Sequence, residues 1–102
     1  MKTYHKLVRD KIPAIIRDQG KTCETEILNT ADYEAALTAK LGEETAEFAE
    51  SLETEELCDI EEVLLAILAH RGISREEFEK MRQEKADARG GFRDRICLLK
   101  VN

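Results

Sequence analysis

Between residues 30 and 71 the apolar side chains recur every three or four positions, which is the spacing of one face of an α-helix. The first stripe consists of Leu37, Leu41, Glu44 and Phe48. The second stripe consists of Glu56, Ile60, Val63 and Ile67. Each stripe includes a glutamate, and a carboxylate in a helix seam is costly unless it is paired or binds a cation. The pattern therefore predicts two amphipathic helices that carry a candidate metal site.

Capping and stop signals divide the chain into four predicted helices. Asp10 can cap the first helix, and Ser74 with Glu77 forms the S-x-x-E capping box of the fourth. The turn between the second and third helices is short, so these two helices should run antiparallel. The predicted helices run from Asp10 to Gly20, from Thr30 or Asp32 to about Leu52, over residues 55–71, and from Ser74 to about Arg89.

Two further segments have the character of strands. Residues 23–28 alternate loosely between polar and apolar side chains, and the tail from Phe92 to Val101 is rich in apolar residues. They could pair as a small two-stranded ribbon. The predicted fold class is therefore mainly α, a compact all-α helical bundle with a possible small β ribbon, formed by a single domain of residues 1–102.

Composition and charge narrow the functional classes. The chain is 42% hydrophobic and 37% charged, with one proline and a net charge of −6, which argues against binding to polymeric nucleic acid. Three cysteines without CxxC spacing make disulfides and zinc sites improbable. No apolar run has the length of a signal peptide or a membrane span. These features favour a soluble cytoplasmic protein without a membrane partner.

The predicted helix hairpin brings two acidic clusters towards each other. Its turn near residue 53 should place Glu47 roughly opposite Asp59, and Glu44 opposite Glu62. Converging carboxylates repel one another unless they share divalent cations, and Mg²⁺ prefers such oxygen ligands. Glutamate-rich helices also commonly present a solvated face without any function, and the spacing alone leaves that interpretation open.

The acidic spacing resembles that of the MazG-like all-α nucleoside triphosphate pyrophosphohydrolases, whose pattern is EExxE followed by ExxD on the next helix. Here the two motifs begin at Glu43 and Glu56. The opening from Tyr4 to Pro13 and the closing block from Lys85 to Ile96 are similar to the two ends of a compact branch assigned to nucleotide house-cleaning. The resemblance covers nearly the whole chain.

This resemblance implies hydrolysis of a nucleoside triphosphate, with or without a modified base, between the α and β phosphates to give a monophosphate and pyrophosphate. Glu43 would orient the attacking water or act as the base. Only eight residues separate Glu47 from Glu56, so the ligand set could shift by one turn to include Glu62. The implied ligands of Mg²⁺, with Mn²⁺ as an alternative, are Glu44, Glu47, Glu56 and Asp59.

Basic residues near both ends of the chain would contact the nucleoside triphosphate substrate. They are Lys6, Arg9, Lys11, Lys85 and Arg89. By analogy with the same superfamily, we expect a homodimer. The alternative is a non-catalytic helical module that binds a nucleotide or a protein partner.

Overall fold

The computed structural model describes residues 5–102, and this part of the chain is an all-α fold of four helices without a strand. The mainly α fold predicted from the sequence is confirmed. The helices are α1 (Ile12–Asp18), α2 (Thr30–Ser51), α3 (Thr54–His70) and α4 (Arg75–Arg89). Within the described residues, no helix is both long and apolar enough to cross a bilayer.

Helices α2 and α3 form an antiparallel hairpin, which is the main helix–helix contact in the structure. Asn29 begins α2, because its Oδ1 accepts a hydrogen bond from the Asp32 amide at 2.8 Å. Leu52 ends the helix in the left-handed conformation, with φ 57°. After Glu53 the chain enters α3, so the turn is as short as the sequence predicted. The hairpin sets the two acidic motifs on adjacent helices.

The buried residues of the hairpin agree with the predicted stripes in part. Leu37 and Val63 are buried as predicted, the other apolar residues of the stripes are half-buried, and Leu68 is buried although it lies outside both stripes. Leu37 on α2 is 3% exposed, and Val63 and Leu68 on α3 are 8% and 9% exposed. Glu44 lies in the same seam and is as buried as these apolar residues, with 7% exposure. The carboxylate that interrupts the stripe in the sequence is therefore a buried group in the fold.

The two outer helices, α1 and α4, begin in different ways. The amide of Glu77 donates to Ser74 Oγ at 3.1 Å and so caps α4, as predicted. The prediction that Asp10 caps α1 is wrong. Lys11 occupies the N-cap without a side-chain hydrogen bond, and the Ile12 amide donates to the Arg9 carbonyl instead. The backbone turn therefore gives the Ile12 amide, in the first turn of α1, the acceptor that the Asp10 side chain was predicted to provide.

The possible β ribbon does not form in the described residues, because neither 23–28 nor the tail is assigned to a strand. A two-stranded ribbon is unstable unless one face is packed. Here Ile27 is 98% exposed, and Phe92 and Leu99 are 97% and 89% exposed. The molecule is elongated, with principal extents of 59 × 31 × 24 Å.

Candidate metal centre

Five carboxylates from the two acidic motifs meet on one side of the hairpin. One carboxylate oxygen from each of Glu43, Glu44 and Glu47 lies within 4.8 Å of the others. The same holds for Glu44 with Glu56 and Asp59 across the helix pair. Glu44 belongs to both groups and therefore links them. We call these five residues the acidic cluster.

Glu44 is the buried centre of the acidic cluster. Its Oε1 pairs with Lys40 Nζ at 3.1 Å, one helical turn earlier on α2. Its Oε2 is fully buried and has no hydrogen-bond partner among the described residues. Leaving a buried acceptor unsatisfied costs about 1–3 kcal/mol, and more for a charged group. The structure thus holds one carboxylate oxygen in an environment that lacks the donor or cation it needs.

Three cations surround the acidic cluster. Lys6 Nζ lies 3.2 Å from Glu43, and Arg9 donates to Asp59 Oδ1 at 2.6 Å. Lys40 contacts both Glu43, at 3.6 Å, and Glu44. Lys6 and Arg9 were predicted from the sequence as substrate contacts, whereas Lys40 was not among the predicted site residues. Its spacing of four residues before Glu44 was the available signal, because residues at i and i+4 face each other on a helix.

The charges of this site do not cancel. Five carboxylates face the three cations Lys6, Arg9 and Lys40, which leaves two negative charges. The excess affects proton binding. When protonated, Glu47 can donate a hydrogen bond to Glu44, and this bond, together with repulsion between the two ionised carboxylates, raises the pKa of Glu47. Desolvation, with repulsion from Asp59, raises the pKa of Glu56. The residual charge of −2 is what one divalent cation would neutralise.

Two other groups have their charged forms stabilised. The hydrogen bond from Lys6 lowers the pKa of Glu43, and Lys40 acts in the same direction. The hydrogen bond to Asp59 raises the pKa of Arg9, to which the charges of Glu62 and Glu44 also contribute. Glu43 is therefore ionised at neutral pH and is a weaker base while the lysines contact it.

The structure settles the position of each remaining predicted residue relative to the acidic cluster. Glu44 meets Glu56 and Asp59, whereas Glu62, which the sequence placed opposite Glu44, is exposed and outside both groups. The rotation of each helix about its axis fixes this register, and spacing along one helix does not determine it. In residues 5–102, no hydrogen bond or ion pair joins the cluster to the remaining predicted cations, Lys11, Lys85 and Arg89. Tyr4 of the N-terminal motif lies outside the described residues.

The fold and the site define an all-α protein with a carboxylate-only cluster capable of holding a hard divalent cation. The chain is similar to an uncharacterized protein of Mycolicibacterium smegmatis, with 54% identity over 41 residues. That stretch covers 40% of this chain and 42% of the relative, so the match spans less than half of the relative's length. No family model matches the chain, and no solved structure matches it.

Proposed function

We propose that this protein hydrolyses a nucleoside triphosphate between the α and β phosphates, with Mg²⁺ or Mn²⁺ as its cofactor. The observation that carries the proposal is the buried Oε2 of Glu44, which has no hydrogen-bond partner in the described part of the chain and lies among further carboxylates. The resemblance of both acidic motifs and both chain ends to MazG-like enzymes supplies the substrate class and the reaction.

The donor set fits such a cation. The acidic cluster offers oxygen ligands alone, which suits Mg²⁺ and suits zinc poorly. The proposed ligands are Glu44, Glu47, Glu56 and Asp59, and Glu62 is left outside because the structure does not group it with them. When bound, the cation would neutralise phosphate charge and acidify a water molecule.

The surrounding residues have roles that follow from their contacts. Glu43 stands beside the proposed ligands in its ionised form, so it can accept a hydrogen bond from the attacking water and orient it. Lys6 and Arg9 contact carboxylates of the acidic cluster, and from there they would bind the negatively charged oxygens of a triphosphate. Lys11, Lys85 and Arg89 remain proposed substrate contacts on the strength of the resemblance.

The cellular setting is part of the same proposal. Cys23, Cys58 and Cys97 are all free thiols, and Cys58 and Cys97 are exposed. Exposed thiols stay reduced in the cytoplasm, where a nucleotide-processing enzyme would also find its substrate. We therefore include a cytoplasmic location in the proposal.

The direct test is incubation of the protein with a panel of ordinary and base-modified nucleoside triphosphates and Mg²⁺, with the products resolved by chromatography. We expect a nucleoside monophosphate and pyrophosphate, and no product when EDTA replaces the metal. Release of a diphosphate and inorganic phosphate would contradict the bond assignment. Intact nucleotides across the panel would contradict catalysis.

The second candidate is a non-catalytic module that binds a nucleotide or a protein. The ion pairs of Lys6, Arg9 and Lys40 favour it, because they already neutralise most of the acidic cluster without a metal. Isothermal titration separates the two candidates. A nucleotide that binds with Mg²⁺ and is recovered unchanged after prolonged incubation identifies the module.

A further inference from the structure

The isolated chain exposes far more surface than its mass requires. Its accessible surface is 9513 Å², whereas a folded monomer of 11.6 kDa exposes about 5,800 Å². Its radius of gyration is 18.0 Å, compared with about 13 Å for a compact domain of 100 residues. Among the described residues, Leu37, Val63 and Leu68 are the buried apolar side chains, and none of them is completely shielded from solvent. So small a core indicates that another molecule completes it.

One open apolar surface is a groove between α3 and α4. Its floor is formed by the half-buried Leu64 and Leu65, by Leu68, and by Phe78, which is 39% exposed. Its rim is charged and carries one more glutamate than arginine. The rim residues are Glu61, Arg75, Glu76, Glu79 and Arg82.

The second open surface is the C-terminal tail, residues 92–101. It follows α4 after Gly90, begins with a turn in which the Arg95 amide donates to the Phe92 carbonyl, and lies outside any helix or strand. Its apolar side chains stay in solvent, with exposures between 76% and 97%. They are Phe92, Ile96, Leu98, Leu99 and Val101. The tail carries three basic side chains and one acidic side chain, so its net charge is opposite to that of the groove rim.

We propose that the tail of one copy of this chain packs into the α3–α4 groove of a second copy, so that two chains exchange their C-terminal arms. Every copy of the chain has the same small core, so a molecule that completes it must be available whenever a copy folds. A second copy of the chain meets this condition. The surface in excess of a compact monomer is about 3,700 Å², which is more than the roughly 1,000–2,500 Å² that each subunit buries in an obligate dimer. Opposite charges and matching apolar character favour the pairing of arm with groove.

The first test uses the chain of residues 1–102 carrying Leu98→Asp and Leu99→Asp, studied by analytical ultracentrifugation. We expect a dimer for the unmodified protein and a dimer dissociation constant at least about 100-fold higher for the variant, because two buried anchors are replaced by charges. Phe78→Glu in the groove should weaken the dimer in the same way. Ile27→Asp is the matched control, since Ile27 is more exposed than either leucine but lies in the segment between α1 and α2, far from the tail in sequence. It should leave the dimer intact.

The second test locates the contact. Both chains carry Cys23→Ser and Cys58→Ser. The first chain keeps Cys97 in its tail as its one cysteine. The second chain is tagged and carries Cys97→Ser and Glu79→Cys, so its one cysteine lies at the groove rim. Co-expression and mild oxidation should give a disulfide-linked heterodimer. A monomeric unmodified protein overturns the proposal, and so does a dimer that survives both aspartates and forms no such link. Neither measurement depends on catalysis or on metal, so either can fail while the proposed function stands.

Discussion

Replacement of Glu44 by glutamine removes one charge from the centre of the acidic cluster while keeping the shape of the side chain. The amide oxygen can still accept from Lys40, now as a neutral acceptor, so part of a charge-assisted hydrogen bond of about 1.5–3 kcal/mol is lost. The amide nitrogen takes the place of Oε2, which has no partner among residues 5–102, and it can donate to a neighbouring carboxylate of the acidic cluster, which relieves a penalty of about 1–3 kcal/mol. Because these effects offset each other, the metal-free variant should unfold within about 1 kcal/mol of the unmodified protein, or be more stable.

The effect of metal should differ sharply between the two proteins. If the site binds Mg²⁺ with a Kd of about 1 mM, then about 10 mM Mg²⁺ stabilises the unmodified chain by about 1.4 kcal/mol. For a domain of this size that corresponds to a rise in Tm of about 5–10 °C. Glu44→Gln should abolish most of this rise. It should also lower turnover by at least about 100-fold, which is about 2.7 kcal/mol of transition-state stabilisation.

The assay is thermal unfolding followed by circular dichroism, in EDTA and in Mg²⁺, alongside the nucleotide assay. Glu50→Gln is the matched control, because Glu50 is an exposed glutamate on the same helix outside the acidic cluster. It should keep the full response to metal. The reasoning is refuted if Mg²⁺ and Mn²⁺ leave the Tm of the unmodified protein unchanged, or if Glu44→Gln retains both the metal response and the activity.

Two further predictions concern pH and the core. In EDTA the Tm should fall as pH rises above about 4.5. The pKa values of Glu47 and Glu56 are raised in the folded chain, so the folded chain still holds protons there that the unfolded glutamates have lost. Glu43, whose pKa is lowered, has the opposite effect, and it acts below about pH 4.5. Glu47→Gln should flatten this dependence, and a variant with the unmodified pH profile would contradict the assignment. Leu37→Ala should lower the free energy of unfolding in urea by about 2–5 kcal/mol, since Leu37 is 3% exposed in a small core. Leu57→Ala is the control, because Leu57 is 45% exposed and its loss should cost less. If both variants lose the same small amount of stability, this role for Leu37 is contradicted.

Much of the helical architecture follows from local signals. Gly90 and the S-x-x-E motif at Ser74 set the ends of α4 correctly, because capping depends on residues within one turn. The burial of Glu44 also followed from its place in the stripe between Leu41 and Phe48. Asp10 failed as a cap because a neighbouring carbonyl competed for the same amide, and propensity alone does not weigh such a competition.

The sequence by itself determined that two helices carry carboxylates in their seam, because helical periodicity assigns each side chain to a face. Only the tertiary structure decided which of those carboxylates meet. Glu44 joins Glu56 and Asp59 while Glu62 stays outside, and Arg9 reaches Asp59 across fifty positions of the chain. Helix rotation and the path of the N-terminal segment fix these contacts, and both depend on packing between elements distant in sequence. The large exposed surface was likewise invisible in the sequence, since it reflects how little apolar area one copy buries alone.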